Sequence, residues 1–318
     1  MTRIMRGFIC FCCLAVLTFT ASMAQPDNAG WMAVLPDTVK VCRVSIPGTH
    51  DSGTAGVRFP MKHYARTQTM DLSEQWDSGI RFFDLRPKLE GDKLKIYHGP
   101  ANCHLEFEQA LLIFKQKLEK NPKEFCIVMI NMAGGGQKAA DMMMELICRT
   151  FPNDILSDFK PGMTVADTRG KILFIHRNAP SKGIETAGAV MRGWPGNGSS
   201  YQARILSSAG ESAVLWVQDY FTSGNNDKDA YLTRKWNYMH SLLSAFSESE
   251  NGILCINHTS GYTGTGIKTN IKRCSDTINK QMLDYLKNHN GPIGIIPMDF
   301  PSLELINAII RCNGLYLQ

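Results

Sequence analysis

Short apolar runs alternate with helix-like segments along this chain, and this alternation restricts its possible folds more than any other feature. The runs are 41–46, 80–89, 93–97, 125–130, 171–175, 213–217, 253–256 and 293–296. Segments with apolar residues at helical spacing separate many of them, at 105–120, 137–150, 228–249, 274–290 and 302–311. Such alternation without a linker predicts one α/β domain with parallel strands. The stretch 178–212 is rich in Gly, Ser, Asn and Pro, and we interpret it as an excursion near the mouth of that domain.

The N-terminus has the pattern of a secretory signal peptide. Arg3 and Arg6 precede an apolar run at 8–20, and small residues up to Ala24 suit a cleavage site. A membrane anchor would need about 20 apolar residues, and this run is shorter. We therefore expect residues 1–24 to be removed and the protein to be exported to the periplasm or the extracellular space. Any membrane contact of the mature protein should be peripheral.

Charge and cysteine content exclude several classes of partner. Loss of the leader removes two arginines and no acids, so the formal charge falls from +5 to +3. This weak charge, without a Lys/Arg block, argues against nucleic acid but is compatible with anionic lipid. Seven cysteines remain after the leader, with no CxxC pair, and a disulfide cannot be assigned. The sequence shows no metal-ligand spacing.

An ionisable pair follows the first apolar run. Residues 44–54 read VSIPGTHDSGT, in which proline and glycine end the run and His50 and Asp51 come next. Barrel folds carry their catalytic groups at such strand ends. A lone pair of this kind would be a hydrogen-bonded loop histidine beside a turn-forming aspartate. The catalytic interpretation therefore depends on a second segment.

That second segment is 81–87, which reads RFFDLRP and is followed by YHGP at 97–100. Asp84 and Arg86 are two positions apart and therefore face the same side of a strand. Taken alone, they would be a structural ion pair at a strand end. Together with the first segment, they resemble the bacterial phosphatidylinositol-specific phospholipase C family. The similarity continues in pieces to the last strand-like run, near Asp299.

The resemblance implies both a fold and an activity. The fold would be an irregular, incompletely closed TIM-type (β/α) barrel, forming a single α/β domain over 25–318. The activity would be that of a phosphatidylinositol diacylglycerol-lyase, which releases diacylglycerol and inositol 1,2-cyclic phosphate and slowly hydrolyses the latter to inositol 1-phosphate. The substrate would be phosphatidylinositol in a membrane surface, with GPI anchors as a further candidate. We expect a monomer without a cofactor.

This cleavage needs a base for the attacking hydroxyl, an acid for the departing oxygen and a cation for the phosphoryl charge. Imidazole titrates near neutral pH, and guanidinium stays charged while gripping two oxygens. By the resemblance, His50 is the general base that deprotonates the inositol 2-hydroxyl, and Asp299 orients it. His98 is the general acid for the diacylglycerol oxygen, working with Asp51. Arg86 is the phosphate clamp.

The resemblance also implies contacts to the inositol ring. Arg177 matches an arginine that bonds inositol hydroxyls, and Asp219 matches its acidic partner; a surface ion pair is the alternative. Asp84 joins them as a substrate-binding residue. Phe221 stands where the family stacks a tyrosine, so stacking is retained without the hydroxyl. The family often carries a lysine where this chain has Met132-Ala-Gly-Gly, so we expect one inositol contact to be missing.

Membrane contact is expected from two further segments. In the family, a short helix and a neighbouring loop present aromatic side chains to the bilayer. The corresponding segments here are 59–64 and 260–264, with Tyr64 and Tyr262 as the candidate contacts.

Arg86 also bears on the need for a metal. Calcium-dependent relatives surround the phosphate with acidic oxygen ligands, whereas a fixed positive charge would repel Ca²⁺ and can replace it. We therefore predict a metal-independent enzyme. One alternative is a metal-dependent glycerophosphodiester phosphodiesterase, which would need a carboxylate cluster. The other is a non-catalytic barrel that binds inositol lipids or glycans, which should lack His50, His98 or Arg86.

Overall fold

The computed structural model describes residues 28–317, with gaps at 199–200, 208–209, 225–226 and 250–251. The predicted signal peptide at 1–24 lies outside the described residues. None of the helices in the described part combines the length and the hydropathy that a bilayer crossing requires.

Strands and helices follow the order that the apolar runs predict. The strands are β1 (Ile46–Thr49), β2 (Phe82–Leu85), β3 (Pro87–Glu90), β4 (Lys93–His98), β5 (Ala101–Glu106), β6 (Cys126–Ile130), β7 (Ile155–Leu156), β8 (Ile172–His176), β9 (Ala189–Arg192), β10 (Tyr201–Ser207), β11 (Gly210–Gln218), β12 (Ile253–Asn257) and β13 (Ile295–Met298). The α-helices are α1 (Lys62–Ala65), α2 (Leu72–Asp77), α3 (Phe107–Lys120), α4 (Gly136–Thr150), α5 (Val165–Thr168), α6 (Lys228–Glu248), α7 (Ile271–Leu286) and α8 (Leu303–Arg311). The helix predicted to begin at 274 begins at Ile271, because the Asn270 side chain caps it by accepting from the backbone N–H of Arg273.

The strands close into a barrel. Their hydrogen-bonded order is β6-β2-β1-β13-β12-β11-β10-β9-β8, and β8 pairs back to β6. β7 extends this ring at β8. The TIM-type α/β barrel is confirmed, but the incomplete closure is not, because each neighbouring pair in the described ring is bonded. The weakest seam joins β12 to β13 through the single pair Ile256 and Ile295.

The Gly- and Asn-rich stretch at 178–212 supplies part of the barrel wall. β9 pairs parallel to β8, and β10 pairs antiparallel to both β9 and β11. Ala189 and Met191 of β9 are buried while their neighbours are less so, which is the period-2 pattern of a half-buried strand. The predicted excursion is therefore in part a pair of barrel strands.

Successive residues of the barrel strands belong to two apolar layers, because adjacent side chains of a strand point to opposite faces. Phe82 and Ile127 belong to the layer that fills the ring. Phe83 and Val128 belong to the layer that also contains the helix residues. This second layer fixes the helices around the ring and leaves the strand ends free to carry polar groups.

A separate antiparallel sheet of three strands, β3-β4-β5, follows β2 in the chain. His98 is the last residue of β4 and so lies on this hairpin and not on a strand of the ring, yet it lines the same cavity as His50. The hairpin packs closely on the loop after β1, since a Cβ added at Gly53 would lie 2.8 Å from Cγ2 of Ile96. A glycine is therefore needed there for His98 to reach the barrel mouth.

The seven cysteines of the described residues all carry free thiols. Six of them are buried and Cys148 is partly exposed. The six buried cysteines act as small apolar side chains in the core, as the positions of Cys42, Cys126 and Cys255 in apolar runs predict.

Candidate active site

Three neighbouring strands of the ring end in ionisable side chains at the barrel mouth. His50 follows β1, Arg86 follows β2 and Asp299 follows β13. These strands are parallel and adjacent, so their carboxyl ends meet at one edge. The three side chains line a cavity of about 250 Å³, together with His98 from the hairpin. The structure thus brings together residues that span some 250 positions of the chain.

The chain turns sharply after β1 and β13. Asp51 has a φ of +45° and Phe300 a φ of +46°, a left-handed region that non-glycine residues rarely adopt. Strain of this kind is held in place by its surroundings and often marks a functional site. Here the backbone N–H of Phe300 donates to the carbonyl of Thr67 at 2.8 Å. The turn at Asp51 buries its carboxylate next to the histidines.

His50 is held at both ring nitrogens. Nδ1 lies 2.8 Å from Oδ1 of Asp299, and Nε2 lies 2.8 Å from Nη2 of Arg86. Guanidinium nitrogens only donate, so Nε2 must accept from Arg86 and the proton must be on Nδ1. Nε2 is therefore the basic atom, and Asp299 fixes the tautomer that makes it so.

Two carboxylates adjust the acidity of His50. Burial lowers the pKa of the imidazole, but the charges of Asp51 and Asp299 outweigh burial and raise the pKa from 6.5 to about 9. The hydrogen bond that Nδ1–H of His50 donates to Asp299 adds to this rise, and the charge of Arg86 opposes it. The imidazolium that forms when Nε2 takes a proton is therefore stabilised by the site.

Arg86 is held by two buried carboxylates. Its Nε lies 2.8 Å from Oδ1 of Asp51, and its Nη2 lies 3.2 Å from Oδ2 of Asp84. Burial lowers the pKa of Arg86, but the two carboxylates outweigh it and raise that pKa above its usual value. For Asp84, burial raises the pKa, while Arg86 and His50 hold it below the usual range. The site therefore keeps a fixed cation whose side chain is 26% exposed.

The same contacts bear on metal binding. His50, Asp51 and Asp84 each offer a ligand atom within 4.8 Å of the others, which is a spacing suited to a divalent cation. Arg86 contacts all three of these side chains through its Nε and Nη2 atoms. A metal ion would have to displace the guanidinium, so this donor set does not fit a metal while Arg86 keeps its position.

His98 faces His50 across the cavity. Its Nδ1 lies 2.8 Å from the carbonyl oxygen of Ala65, which only accepts, so Nδ1 carries a proton. Its Nε2 lies 3.4 Å from Oδ2 of Asp51, and the same oxygen lies 3.2 Å from Nε2 of His50. The two ring centroids are 6.4 Å apart. One carboxylate oxygen therefore contacts both imidazoles.

Arg177 and Asp219 lie in the same cavity and are linked by Trp194. The Cζ atom of Arg177 lies 4.2 Å from the Trp194 ring centroid, and the indole N–H donates to Oδ2 of Asp219 at 2.8 Å. Nε of Arg177 is buried without a hydrogen-bond partner in the described residues. Burial lowers the pKa of Arg177, against the opposing charges of Asp84 and Asp219. The pair is therefore a cavity wall and not a surface ion pair.

The aromatic residues divide between the cavity and the surface. The rings of Phe221 and Tyr262 lie 6.2 Å apart and line the cavity. Tyr262, expected as a membrane contact, is thus part of the cavity wall, whereas Tyr64 is 39% exposed on α1. Asn131 lines the cavity after β6. Among the described residues, no lysine does so, in keeping with the missing family lysine.

His258 is a residue that the sequence reasoning missed. Its ring lies 5.9 Å from that of His50 and 5.8 Å from that of Trp194. Burial lowers the pKa of His258 to about 4, so it packs between these rings as a neutral group. His258 comes directly after β12, just as His50 comes directly after β1. The same strand-end pattern could therefore have identified it as a cavity residue.

Gln68 was also missed. Its Nε2 donates to the carbonyl oxygens of His50 and Met298, at 2.8 Å each. It therefore ties the ends of β1 and β13 together and holds His50 beside Asp299. No local pattern marks this glutamine, because its partners come from distant parts of the chain.

Comparison with known proteins agrees with this arrangement. Residues 44–178 match the family model for the X domain of phosphatidylinositol-specific phospholipase C. The 1-phosphatidylinositol phosphodiesterase of Listeria monocytogenes is 27% identical over 297 residues, covering 89% of this chain and 84% of the relative. Its counterpart in Staphylococcus aureus strain Newman is 25% identical over 310 residues, covering 91% and 95%.

Comparison of the fold with solved structures also finds a phosphatidylinositol-specific phospholipase C. The solved structure of the phosphatidylinositol-specific phospholipase C from Listeria monocytogenes superimposes with a TM-score of 0.72 and 26% identity, over 90% of this chain and 98% of that one. The sequence match and the structural match thus extend beyond the X domain to most of the barrel. Most of this chain is thus similar in sequence and in fold to bacterial phosphatidylinositol-specific phospholipases C.

Proposed function

We propose that this chain is a secreted, metal-independent phospholipase C that cleaves phosphatidylinositol. One observation carries the proposal: Nε2 of His50 and Nε2 of His98 both lie within 3.4 Å of one Asp51 oxygen, with Arg86 in contact with His50. A base, an acid and a fixed cation therefore surround a single small cavity. The names and sequences of the bacterial relatives support the same activity.

The first step is an internal transfer. Nε2 of His50 takes the proton of the inositol 2-hydroxyl, and the resulting oxygen attacks phosphorus. The bond from phosphorus to the diacylglycerol oxygen breaks, and Nε2–H of His98 gives its proton to that oxygen. The products are diacylglycerol and inositol 1,2-cyclic phosphate. His50 ends this step protonated and His98 ends it neutral.

The carboxylates and Arg86 stabilise charge during this step. Asp299 holds Nδ1–H of His50 and stabilises the imidazolium as it forms. Without substrate, Nη2 of Arg86 donates to Nε2 of neutral His50. When substrate binds, the N–H groups of the guanidinium donate to the phosphoryl oxygens instead. Guanidinium can grip two of these oxygens at once. The ion pairs with Asp51 and Asp84 hold the guanidinium of Arg86 in position.

The second step uses the reverse roles. Neutral His98 takes a proton from water, which attacks the cyclic phosphate, and protonated His50 returns its proton to the 2-oxygen. The product is inositol 1-phosphate, and both histidines regain their starting states. This step is expected to be slow, since water must bind where diacylglycerol was.

The inositol ring binds against the cavity wall formed by Arg177, Trp194 and Asp219. Nε of Arg177, which has no hydrogen-bond partner among the described residues, can donate to ring hydroxyls, and Oδ1 of Asp219 can accept from them. Phe221 offers a ring face without a hydroxyl. GPI anchors are a candidate further substrate by the family resemblance alone, and the missing family lysine near Met132 argues against their cleavage.

A single assay tests the activity and separates it from its alternatives. Phosphatidylinositol is offered in EDTA, and the products are followed by phosphorus NMR. We expect cyclic inositol phosphate first and inositol 1-phosphate later. A metal-dependent glycerophosphodiester phosphodiesterase would be inactive in EDTA and would form no cyclic product when metal is restored. A non-catalytic barrel would bind the lipid without turnover.

Export and oligomeric state form separate parts of the proposal. The basic, apolar and small-residue pattern of 1–24 supports signal-peptide cleavage. N-terminal sequencing of the secreted protein should begin at Gln25, and retention of the intact chain inside the cell would contradict export. Light scattering should give the mass of a monomer.

A further inference from the structure

A second cavity adjoins the catalytic one. It has a volume of about 720 Å³, and its walls are α1 with its flanking residues, the start of α7, and Phe300. We name it the side cleft. Ile271 lines both cavities. The backbone N–H of Phe300 donates to the carbonyl of Thr67 at the boundary between the two cavities. Thr67 lines the catalytic cavity, and Phe300 lines the side cleft.

We propose that the side cleft binds the diacylglycerol half of the substrate, as a subsite for the glycerol and the first part of the acyl chains. This inference rests on the proposed function. In that function the phosphate lies among Arg86 and the two histidines, and the inositol lies against Arg177. The glycerol must therefore lie toward the remaining wall, where Ile271 leads into the side cleft.

The position of the acid favours the same direction. His98 protonates the glycerol oxygen in the proposed reaction, so the glycerol lies on the side of His98. The ring of His98 is bound to the carbonyl of Ala65, and Ala65 is the last residue of α1. Because α1 forms one wall of the side cleft, a glycerol released at His98 lies next to the cleft.

The chemistry of the lining also fits an ester lipid. Ester oxygens only accept hydrogen bonds, and the cleft offers the donors of Lys62, Arg66 and Lys272. No carboxylate occurs among its described lining residues. Lys62 is exposed on the cleft wall. It is therefore available to an ester carbonyl.

Apolar side chains cover the rest of the cleft. Ile271 and Phe300 offer surface to the first methylene groups, and Phe59 is 91% exposed at the outer edge. A volume of about 720 Å³ lies within the range of roughly 300–1,000 Å³ that small-molecule sites occupy. An acyl chain can thus leave the cleft past Phe59 and return to the bilayer.

Two water-soluble substrates test the subsite without a membrane. One is monomeric dihexanoyl-phosphatidylinositol, and the other is glycerophosphoinositol, which has the same phosphodiester without acyl chains. Both are assayed in EDTA. Each buried methylene contributes about fourfold, so we expect the wild type to prefer the acylated substrate by at least tenfold in kcat/KM.

Filling the cleft should remove this preference. Thr69 is exposed on the cleft wall, and Thr69→Trp places an indole in the space for the chains. We expect the preference to fall to about threefold or less, with glycerophosphoinositol turnover unchanged. Thr186→Trp, at an exposed site away from both cavities, is the matched control and should keep the preference. Phe59→Ser removes apolar surface without adding bulk and should lower the preference by a smaller factor.

The outcomes separate this inference from the function it rests on. A wild type without the preference, or a preference unchanged in both Thr69→Trp and Phe59→Ser, would overturn the subsite. So would variants that keep the preference but lose binding to phosphatidylglycerol vesicles, since the cleft would then hold a non-substrate anionic lipid. Failure of the wild type to turn over either substrate would overturn the proposed function instead.

Discussion

Replacing Asp299 with asparagine removes the charge beside His50 at almost constant size. The carboxylate lies 2.8 Å from Nδ1 of His50, and it is among the groups that raise the pKa of that imidazole from 6.5 to about 9. A rise of that size corresponds to about 3 kcal/mol in favour of the imidazolium. Asp51 supplies part of this stabilisation of the imidazolium. A hydrogen bond to a charged group contributes about 1.5–3 kcal/mol, so Asp299→Asn should lower kcat/KM by about 10- to 100-fold.

The same variant has a second signature in its pH profile. His50 must be unprotonated to act as a base, so the rate rises with pH through its pKa. Loss of Asp299 lowers that pKa, and the rise must therefore move to lower pH in the variant. The assay is kcat/KM for a soluble inositol phosphodiester across the neutral and alkaline range.

The control is Asp284→Asn, which alters a partly exposed aspartate, far from the cavity in the chain, that is bound to Lys280 and Lys287. It should leave both the rate and the profile unchanged. If Asp299→Asn retained the wild-type rate to within about twofold with an unmoved profile, the assignment of Asp299 as the residue that orients the base would be refuted.

The remaining predictions concern four other contacts. His98→Ala should slow cleavage of phosphatidylinositol by about 10²–10⁴-fold, but much less for a nitrophenyl ester whose leaving group needs no proton; an equal loss on both would contradict its role as the acid. Arg86→Lys should lower kcat by about 10²–10³-fold, because an ammonium cannot reproduce the two-point contact, and a normal kcat would exclude the clamp. Trp194→Phe should raise KM several-fold with little change in kcat, since Asp219 loses its indole donor. Glu124→Gln should reduce the free energy of unfolding by about 3–5 kcal/mol in urea titrations, because the buried guanidinium of Arg81 loses the carboxylate that balances its charge; stability within about 1 kcal/mol of wild type would show that this pair is dispensable.

Much of the site follows one positional rule that a sequence can reveal. His50, Arg86 and Asp299 each come directly after an apolar run, and parallel strands bring such positions to one edge. Local spacing also puts Asp84 on the same strand face as Arg86. The α/β class was predictable for the same reason, since alternation of strands and helices is a local property of the chain.

Other features depend on contacts that no local pattern records. Trp194 lies in a Gly- and Asn-rich stretch, and it meets Arg177 and His258 only because β9 and β10 complete the ring. His98 reaches the cavity on a hairpin, whose approach depends on the absence of a side chain at Gly53. Closure of the ring likewise depends on the pairing of β6 with β8, which are separated in the chain by α4, β7 and α5. The sequence therefore predicts which groups do chemistry better than it predicts how they are supported.

The position of Arg86 on the atoms of His50, Asp51 and Asp84 affects how such an enzyme can be controlled. An ion taken from solution can be withdrawn by a chelator or follow changes in calcium supply, whereas a charge joined to the backbone cannot. The enzyme proposed above would need no ion from the medium in which it works. Its activity would then depend on access to lipid and therefore, with the proposed export, on the membrane that it meets outside the cell.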